Sequence, residues 1–275
     1  EFSVHTSGST GTPKEIVLKR EFMKVSARAT NDFFQNKRGS TALLCLSPST
    51  IGGKMMIVRA LEAGMKLIVV EASSNPLERI NEKIDFAAMV PMQVQTTLIN
   101  SPEKFRLINT TIIGGAVVSN ELQRLLLSSS ANFYQTFGMT ETISHIALKQ
   151  LSPTQASFYS CLPGVTVSAL SGSLVVHYPA LGIEKLETND LVEVIDTTHF
   201  KWLGRSDFAI NSGGIKIHPE QIEERLSESI NVPFFSFGVP DKLLGERHIL
   251  AVESTDAIQL SKALLSTLLT TYEVP

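Results

Sequence analysis

The sequence predicts an α/β protein: a large N-terminal α/β sheet region that carries a β-rich subdomain, followed by a small C-terminal α+β domain. Three features lead there. Strand-like runs alternate with helix-like segments from Ala42 onward, the texture changes after Cys161 to short strands and turns, and a smaller mixture of helix and strand follows Gly204-Arg205. These changes divide the chain into a large domain at 1–204, with 161–204 its β-rich part, and a small domain at 205–275.

The elements follow in order. Ile16-Val17-Leu18 reads as a strand. Ala42 to Leu46, Met65 to Val70 and Phe86 to Val90 are apolar runs of buried-strand length, and the helix-type segments between them end in signals such as Gly64, a residue suited to a helix C-cap. The rhythm continues through strand Thr111-Ile112-Ile113, helix Asn120 to Leu127 and strand Asn132 to Thr136. The β-rich part comprises Gly164 to Val167, Leu174 to His177, Leu191 to Ile195 and Phe200 to Leu203. Helix Pro219 to Ser227, strands Phe234 to Val239 and His248 to Glu253, and helix Gln259 to Leu268 make up the small domain. No repeat or low-complexity tract interrupts this order.

A chain of 275 residues, 43% hydrophobic and with a formal net charge of -3, is long enough to bury a substantial core. Its 24 basic residues do not outnumber its 27 acidic ones, so nothing would neutralise a nucleic-acid backbone. Apolar runs such as Leu67 to Val70 fall far short of the roughly 20 residues that span a bilayer. With no secretory leader in view, a cytoplasmic protein without membrane insertion is expected. Cys45 and Cys161 are the only cysteines, which supports neither a disulfide framework nor a cysteine metal site; both are expected to be packing residues. His177, His199, His218 and His248 lack ligand spacing, and His5 buttresses the loop beside it, so no zinc site is expected. No Gly-x-Ser-x-Gly elbow of a hydrolase occurs. There is no initiator Met, and the chain stops at Pro275 just after a helical pattern; both ends are expected to be cuts.

Thr6-Ser7-Gly8-Ser9-Thr10-Gly11-Thr12-Pro13-Lys14 packs glycines and hydroxyls before a proline and a lysine. Such a run serves as an ordinary turn or as a polyphosphate cradle, in which glycines let backbone N–H groups approach anionic oxygens and the ammonium adds a mobile charge. A Walker loop is excluded: the glycines are too close, Lys14 follows Pro13, Glu15 stands where a magnesium-binding hydroxyl belongs, and a strand follows rather than a helix. The string resembles the phosphate loop of the adenylate-forming superfamily of acyl-CoA ligases, luciferases and peptide-synthetase adenylation domains.

Further motifs of that superfamily follow in its order. Tyr134-Gln135-Thr136-Phe137-Gly138-Met139-Thr140-Glu141-Thr142 is similar to the aromatic-Gly-x-Thr-Glu motif. The resemblance implies Phe137 stacking on adenine beside Gly138 and Met139, the Thr140 hydroxyl at the α-phosphate, and Glu141 holding Mg²⁺, a hard cation that commonly bridges carboxylate and phosphates. Phe137 replaces the usual tyrosine, so a hydroxyl contact is lost. Ile113-Gly114-Gly115-Ala116 resembles the element between acyl group and adenine, although a strand-ending Gly-Gly is by itself an ordinary turn. Glu187-Thr188-Asn189-Asp190 stands where the family has Thr-Gly-Asp, which makes Asp190 the expected ribose ligand; Asn189 also tolerates the left-handed conformation of the replaced glycine. Trp202-Leu203-Gly204-Arg205-Ser206-Asp207 and Ser212-Gly213-Gly214-Ile215-Lys216 match the hinge and the opening of the family's mobile C-terminal domain, and Gly238-Val239-Pro240-Asp241 through Gly245-Glu246 completes the pattern. Arg205 is implied to contact the nucleotide, Asp207 to be the hinge, and the Gly213-Gly214 turn to join a thiol-binding surface. Phe208 departs from the second acidic hinge residue.

The implied activity is an AMP-forming acid–CoA ligase that takes ATP, Mg²⁺, coenzyme A and a small carboxylic acid, with Lys14, Thr140 and Glu141 as the catalytic set. In the family a lysine near the C-terminus stabilises the adenylation transition state; Pro275 falls just before that segment, so the chain as given is expected to adenylate poorly while keeping nucleotide binding and thiolation. Ser47 to Met56 lies where relatives shape the acyl pocket, which makes Ser49 and Thr50 candidate substrate residues with Gly115. Gly138 to His145 looks most like the o-succinylbenzoate–CoA ligases of menaquinone synthesis, so Ser144 and His145 are either partners of a second substrate carboxylate or, for His145, a satisfied buried histidine. Lys54 and Arg59 are alternative anion partners, expected by default to be solvated helix residues. Other aryl or fatty acyl-CoA ligases, a carrier-protein adenylation domain and a non-catalytic nucleotide-binding relative remain open.

Overall fold

The computed structural model describes residues 2–6, 14–127, 129, 131–151, 158–227, 229–230, 232–253 and 269. Residues 7–13 of the glycine-rich loop and the expected helix from Gln259 to Leu268 lie outside the described residues. Contacts group the chain into two compact units, the first comprising 1–166, 176–185 and 197–199, the second 167–175, 186–196 and 200–275.

The first unit opens with an antiparallel hairpin, β1 (Phe2–Thr6) against β2 (Lys14–Leu18), in which Thr6 pairs with Lys14. The two ends of the glycine-rich loop are thereby clamped side by side. Helix α1 (Arg20–Phe34) follows, then β3 (Thr41–Leu44), α2 (Ile51–Ala63), β4 (Lys66–Val69), β5 (Ile84–Met89), α3 (Pro91–Asn100), β6 (Ile108–Ile113), α4 (Asn120–Leu127), β7 (Asn132–Gly138), β8 (His145–Gln150) and β9 (Tyr159–Cys161). Strand order is β4-β3-β5-β6-β7-β8-β9; the first five run parallel and the last two antiparallel. Parallel strands need both faces covered, which explains why β5 reads as a near-continuous apolar run. Leu43, Ala87, Met89, Ile113 and Phe133 meet in one core, where Phe105 packs edge-on against Phe133 at 5.0 Å. Cys45, just past β3, is fully buried; its thiol donates to the Ala88 carbonyl at 3.4 Å, and burial pushes its pKa up to about 12.

Helix α2 starts where Thr50 caps it, accepting from the Gly53 N–H at 3.2 Å, and ends at Gly64 with φ 66°. Helix α1 was not expected. Its buried face mixes Met23, Ala27 and Ala29 with Ser26, Thr30 and Asn31, which hides the apolar period in the sequence. One expectation is overturned on α2: Arg59 is not solvated but only 1% exposed.

The second unit holds most of β10 (Thr166–Leu170), half of β11 (Ser173–Tyr178), and most of β12 (Ile183–Asp196) and β13 (His199–Arg205), neighbours in that order. It also holds β14 (Ile210–Ser212), β15 (Ile215–Ile217), α5 (Pro219–Leu226), β16 (Phe234–Asp241) and β17 (Gly245–Val252). Those four strands form an antiparallel sheet in the order β15-β14-β17-β16, and Ile210, Ile217, Ile222, Leu226, Ile230 and Leu269 close its core. Among the described residues no helix is long and apolar enough to cross a membrane.

Candidate active site

The residues singled out from the sequence fall into two groups, one in each unit. In the first unit, Gly114-Gly115-Ala116 leaves the end of β6, and Gly138-Met139 leaves the end of the neighbouring β7, with Ile113 and Gln135 in register. The Thr136 hydroxyl ties the strand ends together by donating to the Ile113 carbonyl at 3.1 Å. Gly138 has no room for a side chain: a Cβ there would lie 2.5 Å from the Ser144 carbonyl oxygen and 2.5 Å from the His145 Cα.

Between Gly138 and Ser144 the chain makes one 3-10 turn, Thr140–Thr142. Thr142, fully buried, is its post. Its hydroxyl accepts from the Met139 N–H at 3.1 Å and lies 2.8 Å from the Ser144 carbonyl, to which it donates. The turn closes through Ile143 at φ 69°, a left-handed conformation that disfavours a β-branched residue and is held here by the surrounding contacts. A strained turn pinned at both ends carries Glu141 exposed and Thr140 half-buried. The Phe137 ring lies against Tyr159, centroids 5.5 Å apart and tilted by 59°.

Behind this turn sits a buried polar cluster. The His145 Nε2 is 3.1 Å from the Thr30 hydroxyl, which itself donates to the Ser26 carbonyl at 3.1 Å. With the Thr30 proton spent there, Nε2 carries the ring hydrogen and donates to Thr30. Nδ1 is then the acceptor, 3.5 Å from Arg59 Nη2 and 3.4 Å from the Ser144 hydroxyl. Burial first, then the charge of Arg59, push the His145 pKa well below its ordinary value, so the ring is neutral. Both nitrogens are engaged by the protein, as in a satisfied buried histidine. The charge at this spot belongs to Arg59. Its guanidinium donates to the Ser144 hydroxyl at 2.9 Å and approaches the Met56 sulfur at 3.7 Å, while its Nε has no partner and no carboxylate among the described residues pairs with it. Burial pushes it down to about 10, which still leaves it charged at neutral pH.

Ser49 and Thr50 are exposed in the turn before α2. The Thr50 hydroxyl donates to the Ser47 carbonyl at 2.8 Å as well as capping the helix, Ser49 Oγ is 2.7 Å from Ser47 Oγ, and Lys54 donates to the Ser49 carbonyl at 2.6 Å. Thr6 and Lys14 end and begin the first hairpin, while Ser7, Gly8, Ser9, Thr10 and Gly11 lie outside the described residues.

In the second unit, Asp190 projects from β12 and is 6% exposed. Its Oδ1 accepts from the Trp202 indole N–H at 2.9 Å, and Oδ2 lies 3.8 Å from Arg205 Nη1. Asn189 is inside the strand and not among the residues with positive φ, so the missing glycine leaves no strain. Arg205 ends β13 and forks onto Asp207, Nε to Oδ1 at 2.9 Å and Nη2 to Oδ2 at 2.7 Å. These hydrogen bonds raise the Arg205 pKa and hold the Asp207 carboxyl below the usual carboxylate range. Gly213 and Gly214, with φ of 58° and 83°, turn β14 into β15, and the Gly213 N–H donates to the Leu244 carbonyl at 2.8 Å.

Among the described residues no group of three His, Cys, Asp or Glu could hold a metal ion. One exposed carboxylate, Glu141, beside one hydroxyl, Thr140, suits a hard cation such as Mg²⁺ that would take its remaining ligands from water and substrate phosphates. Sequence reading missed Thr142 and Trp202 as organisers; both lay inside recognised motifs, but the pairing of Trp202 with Asp190 on another strand is not visible in the sequence.

The family model of AMP-binding enzymes matches residues 2–170. The acyl-CoA synthetase (AMP-forming)/AMP-acid ligase II-like protein of Dyadobacter fermentans is 38% identical, with a TM-score of 0.71 over 100% of this chain and 82% of that one. The probable 2-succinylbenzoate–CoA ligase of Mycobacterium tuberculosis is 25% identical over 269 residues, 90% of this chain and 70% of that protein. Escherichia coli MenE with a bound analogue of OSB-AMS shares the fold, with a TM-score of 0.82 at 23% identity over 99% of this chain and 64% of that one. The chain therefore belongs to the AMP-binding enzyme family and, within it, to the AMP-forming acid–CoA ligases.

Proposed function

We propose that the chain carries the nucleotide and acyl centre of an ATP-dependent ligase that joins o-succinylbenzoate to coenzyme A in the cytoplasm, with adenylation centred in 1–204 and a mobile small domain at 205–275. The observation that carries the substrate assignment is Arg59. A charged guanidinium buried without a carboxylate is an expensive arrangement, and an acid bearing a second carboxylate supplies the missing partner. Ser144, which accepts from Arg59, adds a hydroxyl to the same pocket. Curated relatives named 2-succinylbenzoate–CoA ligases lend support from M. tuberculosis and Listeria monocytogenes, each 25% identical.

In this reading the reacting carboxylate attacks the α-phosphorus of ATP and pyrophosphate leaves. The CoA thiol then attacks the carbonyl of the mixed anhydride, loses its proton, and AMP leaves. Lys14 and the loop residues hold the polyphosphate, and the Thr140 hydroxyl donates to the α-phosphate. Glu141 would hold Mg²⁺, which neutralises charge on the phosphates. Phe137 stacks on adenine beside Gly114, Gly115 and Ala116, Asp190 accepts from the ribose, Arg205 contacts the nucleotide, and Gly213-Gly214 borders the thiol path. Ser49 and Thr50 contribute the mouth of the acyl pocket.

Exchange of labelled pyrophosphate into ATP, measured with a chain extended beyond Pro275 through the family's lysine segment, tests this directly, comparing o-succinylbenzoate with benzoate and medium-chain fatty acids. Exchange with o-succinylbenzoate and none with benzoate is expected. Exchange with only a monocarboxylic acid would retire the substrate and leave Arg59 unexplained.

A further inference from the structure

Asp190 is a buried carboxylate with unequal oxygens. Oδ1 is fixed by the Trp202 indole N–H at 2.9 Å, a group that can donate but never accept. Oδ2 faces Arg205 Nη1 at 3.8 Å, beyond hydrogen-bond range, because the guanidinium aims its Nε and Nη2 at Asp207 instead. Among the described residues no donor reaches Oδ2. The side chain keeps 9% of its surface exposed, so it can still be reached. The carboxylate is held in one orientation, with lone pairs on Oδ2 and a second one on Oδ1 left for incoming donors.

We propose that Trp202 is a positioning residue that makes the nucleotide site selective for an intact ribose diol. The inference rests on Asp190 as the ribose ligand. Two vicinal hydroxyls are the donor pair that a locked carboxylate accepts with both oxygens, whereas a carboxylate free to rotate about its terminal torsion loses much of that discrimination. Phenylalanine at this position would keep the ring and lose the lock.

The test measures Mg-ATP and Mg-3′-deoxy-ATP binding by equilibrium dialysis for the unaltered chain and for Trp202→Phe. The substitution is expected to weaken ATP by about tenfold, the size of one hydrogen bond to a charged group, and to leave 3′-deoxy-ATP nearly unchanged. Equal weakening of both nucleotides overturns the positioning role. Trp202 is the sole tryptophan, so the unaltered chain offers a second readout that does not depend on how the variant folds. Its emission is expected to shift on ATP binding and to shift less with 3′-deoxy-ATP. ATP retained in dialysis with unchanged emission overturns the positioning role alone. No retention of ATP overturns it together with the nucleotide site on which it rests.

Discussion

Arg59 and Arg205 are the same side chain in opposite circumstances. Arg59 is sealed in the first unit beside a neutral histidine and a serine hydroxyl, with no anion among the described residues. Arg205, in the second unit, is about one-third exposed and forked onto Asp207, with Asp190 close by. The difference teaches what each is for. Arg205 has its counter-charges built in, so in the proposed nucleotide role an arriving ligand would have to compete with them. Arg59 is held at a cost in solvation that no anion among the described residues offsets, which is what the proposed role as a substrate-binding group would explain.

Arg59→Met breaks the contrast most sharply. Acid-dependent pyrophosphate exchange with o-succinylbenzoate should fall at least about a hundredfold, while the melting temperature holds or rises, since a desolvated charge is replaced by an apolar side chain of similar length. Retained exchange together with a lower melting temperature would make Arg59 a structural residue after all. The second effect is smaller and concerns pH. The folded His145 pKa lies well below 6.5, so as pH falls under 6.5 the unfolded chain takes up the proton first and stability declines. The decline should steepen below pH 6.5 toward the one-proton limit of roughly 1 kcal/mol per pH unit and level off once the folded pKa is passed. His145→Gln should flatten that part of the profile in urea unfolding; parallel profiles would mean that the ring protonates without penalty in the fold. The mildest change is Arg205→Lys, which keeps the charge but loses the planar fork. It should weaken ATP about fivefold to tenfold in dialysis, and an unchanged affinity would remove Arg205 from the nucleotide site.

Much of the fold was legible because its signals are local. Helix α4 runs over the residues expected of it, Asn120 to Leu127, and α2 ends at Gly64 as the residue type demands. Strand β12 was seen only at its apolar end, Leu191 to Ile195, because its earlier residues, Glu184 to Asp190, are mostly polar and its burial alternates irregularly. Helix α1 escaped notice because Ser26, Thr30 and Asn31 occupy its buried face, where Asn31 donates to the Arg59 carbonyl and Thr30 meets the His145 ring. The site divides the same way. The Gly138 to Thr142 motif could be read from its spacing, but the burial of Arg59 depends on Ser144 and His145, 85 and 86 residues away. A positive side chain on a helix reads as solvated until the residue that covers it is known.

Cys45 bears on a different hazard. A mixed anhydride is an acylating agent, as open to a thiol of the protein that makes it as to coenzyme A. With its pKa near 12, Cys45 at neutral pH is thiolate only about one part in 10⁵, and its sulfur is enclosed between β3 and the Ala88 carbonyl. Self-inactivation by acyl transfer to this cysteine is closed off twice, by ionisation and by access.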